Sequence, residues 1–268
     1  MSLLTRPAKA GPSAQSSRSQ KRAGSVSRSR TAAGIRINGD LGRVRWAAFA
    51  CDYDGTLATG GRVRPATLEA LGQVRHSHRK LLLVTGRELE ELLGIFPLVS
   101  LFDRVVAENG AVLYDPATRR QHLLTDRPSR ELVAVLRARN VQPLALGSAI
   151  IATLRANKHT VSAAINELGL PLHMILNKRS VMVLPYGVNK GTGLMDALHE
   201  IGVAPEETVG VGDAENDEDF LSVCGFSAAV GNALPGLKSK VNIVTSACQG
   251  QGVVELIKYL LNSGDRWN

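Results

Sequence analysis

Residues 46–51, Trp-Ala-Ala-Phe-Ala-Cys, run without a polar break into Asp52-Tyr53-Asp54-Gly55-Thr56, and few folds accept that junction. A short, unbroken apolar run bounded by turn residues is the pattern of a strand buried on both faces, as in the middle of a parallel sheet. Its carboxyl end then carries two aspartates. In open α/β sheets that edge is where ligands bind, and the two-residue period of an extended chain points both carboxylates the same way. Gly55 permits the turn that follows. Two converging carboxylates repel each other and call for a cation or a shared proton. A hard divalent ion such as Mg²⁺, which takes one or two carboxylates together with phosphate oxygens, suits so short an acidic loop. An acidic turn with no ligand is the plainer alternative.

The same kind of junction recurs. Residues 81–84 form a second buried strand ending in Thr85-Gly86-Arg87, ahead of a helix over 88–93. A hydroxyl and free backbone N–H groups there make an anion site, to which Arg87 adds charge. Residues 208–211 end in Gly212-Asp213-Ala214-Glu215-Asn216-Asp217. Glu218 and Asp219 suit the first turn of the next helix, but Asp213 sits directly at a strand end. Lys190 opens an amphipathic helix bearing Leu194, Leu198 and Ile201. The following Gly191-Thr192-Gly193 lacks the P-loop spacing, and Gly210-x-Gly212 lacks the third glycine of a dinucleotide fingerprint. Apolar runs flanking Asn109-Gly110 signal a hairpin that interrupts the strand–helix alternation.

Between 117 and 185 the pattern changes to helices around 129–139 and 161–168 with strand-like stretches at 144–154, 173–176 and 180–184, an α+β layer. The spacing predicts a core domain of residues 46–116 and 186–268 and an inserted domain of residues 117–185. Within the insertion Arg155, Lys158, His159, Asn177, Lys178 and Arg179 are available to a substrate or to solvent.

The net charge of +8 belongs to one end of the chain: residues 1–45 hold ten Lys or Arg against Asp40 alone, which leaves the remainder close to neutral. That segment is rich in Ser, Arg and Gly without apolar periodicity, so it reads as a disordered, solvated tail. An organellar transit peptide or a nucleic-acid contact has the same composition. No apolar run approaches the roughly 18 residues of a membrane span. Cys51, Cys224 and Cys248 are too dispersed for a zinc or disulfide framework, which fits a cytoplasmic setting.

Taken in order, Asp52-Tyr53-Asp54-Gly55-Thr56, Thr85, Lys190 and Gly212-Asp213-Ala214-Glu215-Asn216-Asp217 resemble the four motifs of the haloacid dehalogenase (HAD) superfamily of phosphohydrolases. The resemblance spans residues 46–261. The insertion between the second and third motifs, with the turn Glu108-Asn109-Gly110-Ala111, resembles subclass IIB, the Cof-like group with a type C2 cap, which includes phosphoglycolate and sugar-phosphate phosphatases. It implies a Rossmann-like parallel-sheet α/β core with a small α+β cap. It also implies a Mg²⁺-dependent phosphatase that hydrolyses a small phosphorylated metabolite through an aspartyl-phosphate. In that scheme Asp52 is the nucleophile, Asp54 the general acid and base, and Thr85 and Lys190 bind the transferring oxygens. The ion is held by Asp52, the backbone carbonyl of Asp54 and Asp213, with Asp217 behind. Gly86, Arg87, Asn109, Asn216, Lys158 and His159 are the candidates for substrate contact. A phosphomutase is the alternative enzyme, and a nucleic-acid or protein-binding factor acting through the tail is the non-enzyme alternative. For the phosphatase no membrane or nucleic-acid partner is expected, and monomer and dimer are both open.

Overall fold

The computed structural model describes residues 28–30, 35–38, 46–177 and 179–262. In chain order its strands are β1 (Arg28–Arg30), β2 (Arg36–Asn38), β3 (Ala48–Cys51), β4 (Ala58–Thr59), β5 (Arg62–Val63), β6 (Lys80–Val84), β7 (Arg104–Ala107), β8 (Val112–Asp115), β9 (Arg120–Leu123), β10 (Leu144–Leu146), β11 (Ile151–Leu154), β12 (Leu172–Asn177), β13 (Ser180–Pro185), β14 (Thr208–Gly212), β15 (Phe226–Ala229) and β16 (Ile243–Val244). The helices are α1 (Pro65–His76), α2 (Leu89–Ile95), α3 (Arg130–Ala138), α4 (Lys158–Glu167), α5 (Lys190–Ile201), α6 (Glu218–Val223), α7 (Pro235–Lys240) and α8 (Gln249–Asn262).

The apolar run at β3 is unbroken because both of its faces are covered. Phe49 and Cys51 point into a cluster with Leu71 and Val74 of α1, Leu92 of α2 and Val253, Leu256 and Ile257 of α8. Ala48 and Ala50 point the other way, toward Leu194 and Leu198 of α5, Phe220 of α6 and Leu237 of α7. Each fully buried Leu or Phe contributes roughly 1.5–3 kcal/mol relative to exposure. The sheet order is β1-β2-β16-β15-β14-β3-β6-β7-β8-β9. From β16 to β7 neighbouring strands are parallel, and antiparallel strands flank them on both sides. This is the α/β core that the strand–helix alternation predicts.

The insertion builds its own antiparallel sheet, β10-β11-β13-β12. One face is closed by Leu132, Leu136, Val161, Ala164 and Ile165 of α3 and α4, which pack on Ile151 and Val183. The register places Ala145, Ala152, Met182 and Ile175 in one cross-strand row on the opposite face. Ala152, Met182 and Ile175 pack against the core.

Two sequence expectations change. Residues 35–38 do not belong to a solvated tail: β2 pairs with β16, and Ile35 and Ile37 are buried. Alternation over so few residues is hidden in a Ser- and Arg-rich stretch. Apart from 28–30 and 35–38, the proposed tail lies outside the described residues, as does Lys178. Second, β9 falls within 117–185 yet joins the core sheet beside β8. Its Arg-Gln-His-Leu sequence is an exposed polar edge with little strand propensity, so nothing in the composition marks it.

Candidate active site

Parallel register brings three strand ends to one edge. Cys51 pairs with both Val211 and Leu83, so Asp52, Asp213 and Thr85 leave the sheet close together. The Asp52 N–H still donates to the Val211 carbonyl at 3.0 Å. Lys190 is the first residue of α5, whose start is fixed by a reciprocal cap. Thr192 N–H donates to Asn189 Oδ1 at 2.9 Å, and Asn189 N–H donates to Thr192 Oγ1 at 3.0 Å.

Asp52, Asp213 and Asp217 are buried, and each offers a carboxylate oxygen within 4.8 Å of the others. Lys190 Nζ, only 1% exposed, donates to Asp52 Oδ1 at 2.6 Å and to Asp217 Oδ1 at 2.7 Å. The second Asp217 oxygen accepts the N–H groups of Asp213 and Ala214 at 2.7 and 2.9 Å. Asp217 therefore holds both the lysine and the loop that carries Asp213. Asp213 accepts from Thr56 Oγ1 at 3.4 Å and from Asn232 Nδ2 at 3.2 Å, and the same Asn232 amide donates to the Gly55 carbonyl at 2.8 Å.

Two of the three carboxylates thus share one ammonium, and the cluster keeps an excess of negative charge. Burial first, then repulsion from Asp217, pushes the Asp52 carboxyl up to about 8 although Lys190 works against the shift. Burial alone would lower the Lys190 pKa, but Asp217 and Asp52 hold it above its ordinary value, so the lysine stays charged. A buried, all-oxygen donor set with uncompensated charge fits a hard divalent cation.

Asp54 lies apart from that cluster. Its carboxylate takes both Arg87 Nε at 2.5 Å and Nη2 at 2.7 Å, while Arg87 also pairs with Glu91 and lies over the Tyr53 ring. Asp52, Asp54, Gly86 and Arg87 line a cavity of ≈ 450 Å³, with Glu88 and Glu91 beside them. The inserted domain roofs it with Ala145, Ile150, Ala152 and Met182, and with Asn177, Arg179 and Ser180 at one edge. Thr85 is buried, and its Oγ1 accepts the Arg87 N–H at 3.1 Å, which leaves its hydroxyl proton for a ligand.

Four of the candidates for substrate contact are placed elsewhere. Asn216 Nδ2 donates to Asn109 Oδ1 at 2.9 Å, and Asn109 Nδ2 meets Met182 Sδ, so these two buried amides tie the core loops to the cap and do not line the cavity. Lys158 and His159 open α4, which packs on the face of the cap sheet turned away from the cavity. Substrate contact by Lys158 and His159 is therefore corrected. Sequence reasoning passed over Asn232, although it follows a buried parallel strand much as Asp213 does.

The chain belongs to the haloacid dehalogenase-like hydrolases, whose family model matches residues 49–169 and 173–257. A phosphoglycolate phosphatase from Methanothermobacter thermautotrophicus is 30% identical over 220 residues, 79% of this chain and 97% of that protein. In structure the chain is similar to a haloacid dehalogenase-like hydrolase from Bacteroides thetaiotaomicron, with a TM-score of 0.69 and 18% identity, over 81% of this chain and 100% of the other. It is similar also to a HAD subclass IIB sugar phosphatase, with a TM-score of 0.65 and 19% identity, over 79% and 98% of the two chains. These likenesses show a shared fold. Among the described residues no helix is long and apolar enough to cross a membrane.

Proposed function

We propose that this chain is a Mg²⁺-dependent phosphatase that hydrolyses a small phosphorylated metabolite, phosphoglycolate or a sugar phosphate, through an aspartyl-phosphate. One observation carries this: Asp52 reaches the cavity with Oδ1 held by Lys190 at 2.6 Å, beside two further carboxylates within 4.8 Å. The 30% identical phosphoglycolate phosphatase supports the substrate class.

With Oδ1 anchored, Asp52 Oδ2 attacks phosphorus as the ester P–O bond breaks, and Asp54, released as Arg87 turns to the phosphoryl group and protonated from solvent, gives that proton to the departing oxygen. Asp54 then takes a proton from water, the water oxygen attacks phosphorus, and the bond to Asp52 breaks. Inorganic phosphate leaves, and both carboxylates return to their starting states. Arg87, paired with Asp54 before substrate arrives, has a phosphoryl dianion as an alternative partner. The Thr85 hydroxyl and Lys190 ammonium hold phosphoryl oxygens as charge moves among them. Asp52, the Asp54 carbonyl and Asp213 would hold Mg²⁺, with Asp217 behind. Bound there, the ion supplies positive charge that weakens repulsion between carboxylate and phosphate. The free thiols Cys51, Cys224 and Cys248 suit a cytoplasmic setting.

Incubation with a panel of phosphate esters tests the proposal. Phosphate release should require the ion and should fall by roughly 10⁴-fold or more in Asp52→Asn, because the nucleophile and its partners act as a unit. No ion-dependent release from any ester, with Asp52→Asn indistinguishable from the parent, overturns it.

A further inference from the structure

The cations around the cavity are unequally engaged. Lys190 is committed to Asp52 and Asp217, and Arg87 to Asp54 and Glu91. Arg179, on the cap, has an exposed side chain with no hydrogen-bond or ion-pair partner among the described residues, yet it lines the same cavity. Beside it, Asn177 Oδ1 is buried without a partner. Asn177 pairs with Ser180 across the turn that carries Arg179, so the three polar groups share one end of the cap face. Rotation of the Asn177 amide presents either a donor or an acceptor to a ligand there.

We propose that the substrate is a small phosphorylated hydroxy acid whose carboxylate is bound by Arg179, with Asn177 and Ser180 completing the subsite. This rests on the phosphatase reading and narrows it. The rest of the cap face over the cavity is Ala145, Ile150, Ala152 and Met182, which offers no side-chain partner to the several hydroxyls of a sugar. Each hydroxyl buried there unpaired would count against binding, whereas one planar carboxylate matches one guanidinium. The core wall is acidic at Glu88 and Glu91, and Glu91 is already paired with Arg87. Among the described residues, a second anionic group on the ligand is therefore stabilised at the Arg179 end.

The test compares kcat/KM for 2-phosphoglycolate with that for ethylene glycol monophosphate, its neutral-tailed counterpart, and for glucose 6-phosphate. The parent should favour the acid roughly 10- to 100-fold, the span expected for hydrogen bonds to a charged group. Arg179→Ala should bring the acid-to-alcohol ratio near one, mainly through a higher KM for the acid. Arg179→Lys should keep part of the preference, and added guanidinium ion should restore part of it to Arg179→Ala. Because the ratio is taken within one variant, any change in the folded fraction cancels. An unchanged ratio in Arg179→Ala, or a parent that prefers the alcohol or sugar ester, overturns the proposal. Failure to release phosphate from any ester, an aryl phosphate included, overturns the underlying phosphatase reading instead.

Discussion

A carboxyl group with ordinary solution behaviour cannot occupy the place of Asp52. Burial, Asp217 and Asp213 raise it to about 8, and the opposing pull of Lys190 does not restore it. In the unfolded chain the same group titrates near ~3.9. Between these values the folded, cation-free protein holds a proton that the unfolded chain has released, so its stability falls as pH rises from about 4 to about 8. The melting temperature measured in chelator should decline across that window, and the decline should be smaller in Asp52→Asn. Parallel curves for the two proteins would rule out Asp52 as the source. Cation binding requires the deprotonated carboxylate, so added Mg²⁺ should raise the melting temperature more at pH 8 than at pH 6.

Between the core and the cap, one connection runs from a carboxylate to three backbone amides. Glu108 and Asn109, between β7 and β8, both have φ of 52°, the left-handed region that residues with a Cβ seldom enter. That turn aims the Glu108 carboxylate at the loop between β10 and β11, where it accepts the N–H groups of Ser148, Ala149 and Ile150 at 2.9, 2.8 and 3.2 Å. A Cβ on Gly147 would stand 2.7 Å from that carboxylate, so the loop approaches this closely only with glycine there. Glu108→Ala should cost about 1–3 kcal/mol by leaving these amides unsatisfied. It should also speed hydrogen exchange at 148–150, and unchanged exchange there would refute the clamp. The sequence marked this turn through Asn109-Gly110 but not the partner of its acid, because the partner is backbone some 40 residues on and backbone amides leave no trace in residue identity. Asp52, Thr85, Lys190 and Asp213 were legible for the opposite reason: each stands where a buried run or an amphipathic helix begins or ends. In the cap no such rule applied to Lys158 and His159. Every position of β12 is half-buried, so the pattern does not say which face of that sheet meets the core.

Across the whole molecule the candidate site residues follow the ends of β3, β6 and β14 or open α5, while β15 and β16 separate β14 from the edge that β2 covers. There Ile37 pairs with Ile243, and Asn38 Nδ2 donates to the Val241 carbonyl at 2.8 Å and to the Lys238 carbonyl at 3.2 Å. Ile35 and Ile37 enter the same apolar cluster as Phe49 and α8. Charge and composition averaged over 1–45 concealed this, since the three residues of β1 and the three of β2 are outvoted by their basic surroundings. β16 is only two residues long, and without β2 its backbone groups and the apolar surface beneath would face solvent as an open edge. A chain beginning at residue 40 should therefore keep its kcat/KM per folded molecule yet melt at a lower temperature and self-associate with rising concentration. Ile35→Ala, which leaves the strand but opens a cavity, should cost about 2–4 kcal/mol. At about 2–4 °C per kcal/mol for a chain of this size, that loss is easily read in a melting curve. If the shortened chain melts with the full-length protein, β2 contributes nothing to the fold; if it loses activity per folded molecule, the edge and the site are coupled and their separation across the sheet is no insulation.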